Sequence, residues 1–87
     1  ISYKLYVYGK NNTPQHMDVL VLDGARYEID WEGLRRRSPS SLFVPCLDTE
    51  WAKNALSTEL KYHKIPEFIL RTRIENGVLG VRIWTLC

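Results

Sequence analysis

Apolar and polar side chains alternate through two runs within residues 67–87, and Asn76-Gly77 joins them. An Asn-Gly pair in that position predicts a two-residue type I′ hairpin, because both central residues of the turn need positive φ. With those residues as the loop, Glu75 is expected opposite Val78, Ile74 opposite Leu79, Arg71 opposite Arg82, Leu70 opposite Ile83 and Phe68 opposite Thr85. Strand side chains point alternately to the two faces, so Phe68, Leu70, Ile74, Val81 and Ile83 share an almost wholly apolar face. The opposite face gathers Arg71, Arg73 and Arg82 with Ile69, Trp84 and Leu86.

The same patterns divide the rest of the chain. Residues 1–10 set Tyr3, Leu5 and Val7 against Lys4, Tyr6 and Tyr8, which predicts a strand. Residues 9–15, GKNNTPQ, are turn formers and predict a surface connection. A second hairpin is expected from strands at 17–22 and 25–29 around Asp23-Gly24, with Leu20 opposite Tyr27 and Val19 opposite Glu28. Apolar residues on both of its faces suit the middle of a sheet. Asp30 reads as the N-cap of a short helix over 31–37, halted by Ser38-Pro39, with Trp31 and Leu34 inward and the arginines outward. Residues 38–47 read as a loop containing an apolar segment, Leu42-Phe43-Val44. Asp48 caps the one long helix, 48–64, whose apolar stripe is Trp51, Ala52, Ala55, Leu56, Leu60 and His63 and which Pro66 ends. The expected fold is one α+β domain spanning 1–87, with an antiparallel sheet of about five strands and the main helix on one face.

Composition narrows the class without naming an activity. A chain of 87 residues that is 45% hydrophobic and 25% charged is an ordinary folded domain. No run approaches the roughly 18 apolar residues of a membrane helix, and residues 1–10 lack the sections of a signal peptide. The expectation is a soluble, intracellular (cytoplasmic) protein with no membrane partner. The chain opens on Ile1 rather than Met, which fits residues removed upstream. Cys46 and Cys87 are too few for a disulfide framework and read as buried or terminal thiols. The triplet Asn11-Asn12-Thr13 matches a glycosylation sequon but has no other sign of secretion beside it. The formal net charge of +2 is too small for a general nucleic-acid-coating polycation. Its excess lies in residues 31–47 and in the final hairpin.

Chemistry is concentrated in two arginine groups. Arg71 facing Arg82 across a strand pair is unfavourable unless an anion lies between them. With Arg73 and Trp84 beside them, the group offers forks for phosphates or guanine edges and a ring for an unpaired base. Arginine and tryptophan are equally the favoured anchors of protein interfaces, and a solvated outer face has the same composition. Arg35, Arg36 and Arg37, followed by Ser38-Pro39-Ser40-Ser41, offer further backbone contacts or a basic kinase-type site. His16 near Asp18, His63 and Cys46 lie in no spacing that marks a metal, phosphate or nucleophile site. Neither catalysis, a cofactor nor a metal is expected.

The segment RTRIENGVLGVRIW, residues 71–84, superficially resembles the basic terminal hairpin of the RelE and ParE toxin family, which implies a small ribonuclease. A strand and a hairpin open this chain where that family has helices, so no membership is assigned. The functional expectation is a small non-enzymatic binding module. Its leading partner is nucleic acid, DNA or RNA, engaged through Arg71, Arg73, Arg82 and Trp84, with Arg35, Arg36 and Arg37 on the backbone. The alternative is a protein-binding inhibitor or adaptor, such as a phage-encoded protein that disables a host defence or transcription complex. An edge strand of either hairpin offers a route to a homodimer.

Overall fold

A computed structural model describes residues 2–5 and 17–86. Its elements run β1 (Ser2–Leu5), β2 (Met17–Leu22), β3 (Ala25–Asp30), α1 (Trp31–Arg36), β4 (Ser41–Pro45), α2 (Thr49–Tyr62), β5 (Phe68–Glu75) and β6 (Val78–Thr85). Residues 6–16, with the expected connection, the sequon and His16, lie outside the described residues, as does Cys87. The α+β class holds, but the single sheet of about five strands does not. The strands form two three-stranded sheets, ordered β1-β3-β2 and β4-β6-β5.

Two features account for the difference. The stretch expected to be a loop contains β4, which pairs antiparallel with β6 from Ser41↔Trp84 to Pro45↔Gly80. Its five residues alternate Leu42 and Val44 inward with Phe43 outward, a run too short to declare a period by itself. The N-terminal hairpin has the expected pairing, including Leu20↔Tyr27 and Val19↔Glu28. Its strand β2 is nevertheless an edge among the described residues, because β1 joins in parallel on the far side of β3. Val19 and Val21, read as a second buried face, are about half exposed at 48% and 51%.

One core serves both sheets. Leu22, Tyr27 and Ile29 from the first share one buried cluster with Leu42, Val44, Val81 and Ile83 from the second and with Ala52, Leu56 and Leu60 of α2. Each fully buried Leu or Ile contributes about 1.5–3 kcal/mol relative to exposure. Ala52, Leu56 and Leu60 are the buried stripe of α2. Trp51, expected on that stripe, is half exposed. Asp48 caps the helix, accepting from the Trp51 amide at 3.1 Å. Asp30 caps α1 in the same way, accepting from the Gly33 amide at 2.9 Å. Its buried Trp31 ring stacks on His63 at 5.0 Å between centroids, which places His63 in packing beside Glu59. Among the described residues no helix is long and apolar enough to cross a membrane.

Polar contacts join the sheets at one end. The Tyr27 hydroxyl donates to the Pro45 carbonyl. Asp23, at the left-handed first position of the β2–β3 turn with φ 51°, accepts from the Leu47 amide at 2.6 Å and the Asp48 amide at 3.0 Å. One carboxylate therefore serves both the turn and the start of α2. Asp23→Ala should lower the unfolding free energy by about 1.5–3 kcal/mol, the range for hydrogen bonds to a charged group. Asp23→Asn, which keeps an acceptor and tolerates the turn conformation, should lose clearly less. Urea denaturation of the three proteins measures both losses.

Candidate functional site

The C-terminal hairpin forms in the expected register, with Arg71↔Arg82 and Ile69↔Trp84. Asn76 at φ 52° and Gly77 at φ 77° supply the two left-handed residues that a type I′ turn demands. Alternation from that turn sends Val81, Ile83 and Thr85 inward, where all three are buried. It sends Arg71, Arg73, Arg82 and Trp84 to the outer face together. Sequence reasoning missed two further members, Ser41 and Phe43, which arrive on β4 opposite Trp84 and Arg82. The alternation within Leu42-Phe43-Val44 was their only signal.

The like-charge conflict between Arg71 and Arg82 is resolved within the chain. The Arg82 guanidinium forks onto Glu75, with Nε to Oε2 at 2.9 Å and Nη2 to Oε1, while Nη1 donates to Ser41 Oγ at 3.1 Å. Its carbon end lies 5.6 Å from the centre of the Phe43 ring. Gly80 leaves room for this, since a Cβ there would stand 2.7 Å from Phe43 Cζ and 2.9 Å from Pro45 Cα. Arg73 reaches Glu75 at 3.3 Å and its guanidinium sits 5.6 Å from the Trp84 ring centre. Arg71 is exposed, with no acidic side chain against it among the described residues.

The second arginine group is separate and largely committed. Arg35 and Arg36 both donate to Glu32 Oε1, at 2.7 and 2.9 Å. Arg37 is mostly buried, and its Nη1 lies 3.9 Å from Asp30 Oδ2. The three do not form an open phosphate-binding knot.

Trp84 borders a shallow groove of about 510 Å³ walled by Pro39, Ser41, Ile69 and Leu86. Ile69 is 39% exposed and Leu86 48%, so the apolar end of this face is open to a partner. At the opposite end of the molecule, a cleft of about 440 Å³ separates the hairpin tip, Gly77 to Leu79, from Tyr3 and Tyr27. Cys46 lines it, but burial, with Asp23 and Asp48 nearby, pushes its thiol up to about 11. Such a thiol stays protonated at neutral pH and is a poor nucleophile. Among the described residues no group of His, Cys, Asp and Glu is arranged to hold a metal ion.

Hydrogen bonding from Arg82 holds the Glu75 carboxyl below its ordinary value of 4.5, with the Arg82 and Arg73 charges adding to the effect. A carboxylate with a lowered folded pKa stabilises the fold above its unfolded pKa and loses that contribution as pH falls through the folded value. Wild type should therefore exceed Glu75→Gln in stability at pH 7, and the gap should close below about pH 4. Paired denaturation curves at several pH values test the sign.

Comparison of the chain with known protein families, curated proteins and solved structures finds no match.

Proposed function

We propose that the chain is a protein-binding module, an inhibitor or adaptor that acts by occupying its partner through the outer face of β4-β6-β5. The observation that carries this reading is the open groove where Ile69, Trp84 and Leu86 meet beside Arg71 and Arg73. Clustered exposed apolar surface with a charged rim is the usual composition of a docking site. An aromatic ring flanked by arginines is its usual anchor. Arg82, Phe43 and Glu75 then act as a rigid floor, since Arg82 is held at both ends before any partner arrives.

Nucleic acid is the second reading, favoured by one observation: Arg71 has no acidic side chain against it among the described residues and projects from the same face as Trp84. Magnitude argues against it as the first. Six arginines on phosphates would give a log-log salt slope of about −5 on duplex DNA, and two give about −2. With Arg82, Arg35, Arg36 and Arg37 occupied by Glu75, Glu32 and Asp30, the smaller number applies.

Affinity capture from source-cell lysate, with and without nuclease, separates the readings. The protein reading expects one stoichiometric partner that survives nuclease and is lost with Trp84→Ala, at a cost of about 2 kcal/mol or more for a central anchor. Nuclease-sensitive recovery, with micromolar binding to generic oligonucleotides at 50 mM salt that disappears in Arg71→Glu, would replace it with the nucleic-acid reading.

A further inference from the structure

Among the described residues strand β5 is an edge of its sheet, and its backbone is arranged to accept another strand. In a two-residue hairpin the residues flanking the loop form a hydrogen-bonded pair, so Glu75 bonds to Val78 and every second residue back from Glu75 also faces β6. Other bonds agree with this parity: the Cys46 amide donates to the Leu79 carbonyl on the β4 side, and Leu86 donates to the Glu67 carbonyl on the β5 side. The N–H and C=O groups of Phe68, Leu70, Thr72 and Ile74 therefore point away from the sheet. Among the described residues no backbone group bonds to them.

This edge differs from the others. β4 is five residues long and ends in Pro45, while β2 is six. β5 runs for eight residues without proline, and its register with β6 is unbroken. Edges are normally blunted by shortness, proline, a bulge or charged side chains; of these β5 has only the charges, Arg71, Arg73 and Glu75, all on one face. Its two faces also differ in what they lack. Arg71 and Arg73 stand two residues apart on the outer face and are exposed. On the inner face, past the cover of the core, Thr72 is exposed and Ile74 is 70% exposed.

We infer that β5 captures an extended segment of a partner protein as a fourth strand, one that alternates carboxylates toward Arg71 and Arg73 with apolar side chains toward Thr72 and Ile74. This rests on the protein-binding reading above and adds to it the form and charge of the bound segment. Main-chain bonds to the four outward residues supply the attachment, and the two-residue repeat of the strand supplies the specificity. A second copy of this chain is a poorer occupant. Antiparallel pairing of β5 with itself, centred on Arg71 or on Thr72, sets arginine opposite arginine, which destabilises a strand pair.

The probe is a capped peptide of eight residues alternating Glu and Val, titrated into the labelled protein and followed by amide chemical shifts. The expected result is saturable binding that moves the Phe68, Leu70, Thr72 and Ile74 amides. N-methylation of one alternate set of peptide nitrogens should abolish binding, while methylation of the other set is tolerated. Thr72→Pro removes an outward N–H without touching the ladder to β6 and should weaken binding about tenfold or more. Should that variant misfold, Arg71→Glu with Arg73→Glu provides the second reading, with preference reversed toward a Lys/Val peptide. Binding that is equally tolerant of both methylated sets and shifts only Trp84, Phe43 and Ile69 would overturn strand capture while leaving the docking face intact. Absence of binding at millimolar peptide would also overturn it, and capture of the partner in a Trp84-dependent manner would still decide the face separately. A concentration-dependent dimer broken by Thr72→Pro would assign the edge to a second copy, and tighter displacement by single-stranded oligonucleotide would assign it to nucleic acid; either result overturns the inference.

Discussion

Everything on the outer face follows from the position of β6 between two antiparallel neighbours. A strand hydrogen-bonded on both sides cannot shift by one residue without turning Val81 and Ile83 out of the core and Arg82 into it. Exposing Val81 and Ile83 would lose about 1.5–3 kcal/mol each, and burying the Arg82 charge unpaired would cost more. Residue parity along β6 is therefore fixed by the core, and the outer face inherits it. Gly80 and Arg82 are neighbours on that face because Val81 must face inward.

Within that constraint the charges arrange themselves economically. Glu75 lies beside the turn, two positions up the strand from Arg73, and the long Arg82 side chain reaches it along the face. The ion pair is only partly buried, with its side chains 24% and 22% exposed, so solvent screens it and its direct contribution to stability is small. Its effect is geometric: Arg82 is held over the Phe43 ring, and the surface between β4 and β5 keeps a definite shape. Arg71 and Arg73 stand on the neighbouring strand with more freedom. The face thus combines an ordered floor with a less committed rim, an arrangement that limits the side-chain ordering required when a ligand arrives.

Local features of the fold were legible in the residues, while long-range ones were not. Asn76-Gly77 and Asp23-Gly24 each announced a turn whose chemistry is contained in two residues, and both hairpin registers followed by counting. Asp30 and Asp48 announced helix starts for the same reason. The pairing of β4 with β6 and of β1 with β3 depends on segments far apart in the chain, and no short-range pattern encodes it. The partition into two sheets was therefore hidden. The four hairpin side chains of the candidate face were legible together, because one turn places them. Their neutralisation was less so: Glu75 meets Arg82 along a diagonal that the rule for directly opposed pairs does not describe. The fate of Arg35, Arg36 and Arg37 was half visible, since Glu32 lies three and four residues before the first two on one helical face.

The hairpin outruns the body that supports it. Toward the turn, Thr72 and Ile74 lose their cover on the side that is elsewhere internal, so cooperative stability must fall along the length of the two strands. Amide hydrogens near Asn76 are then released to solvent by local fraying, and those beside Ile83 only when the whole domain opens. A molecule built this way has a firm root and a yielding tip within a single pair of strands.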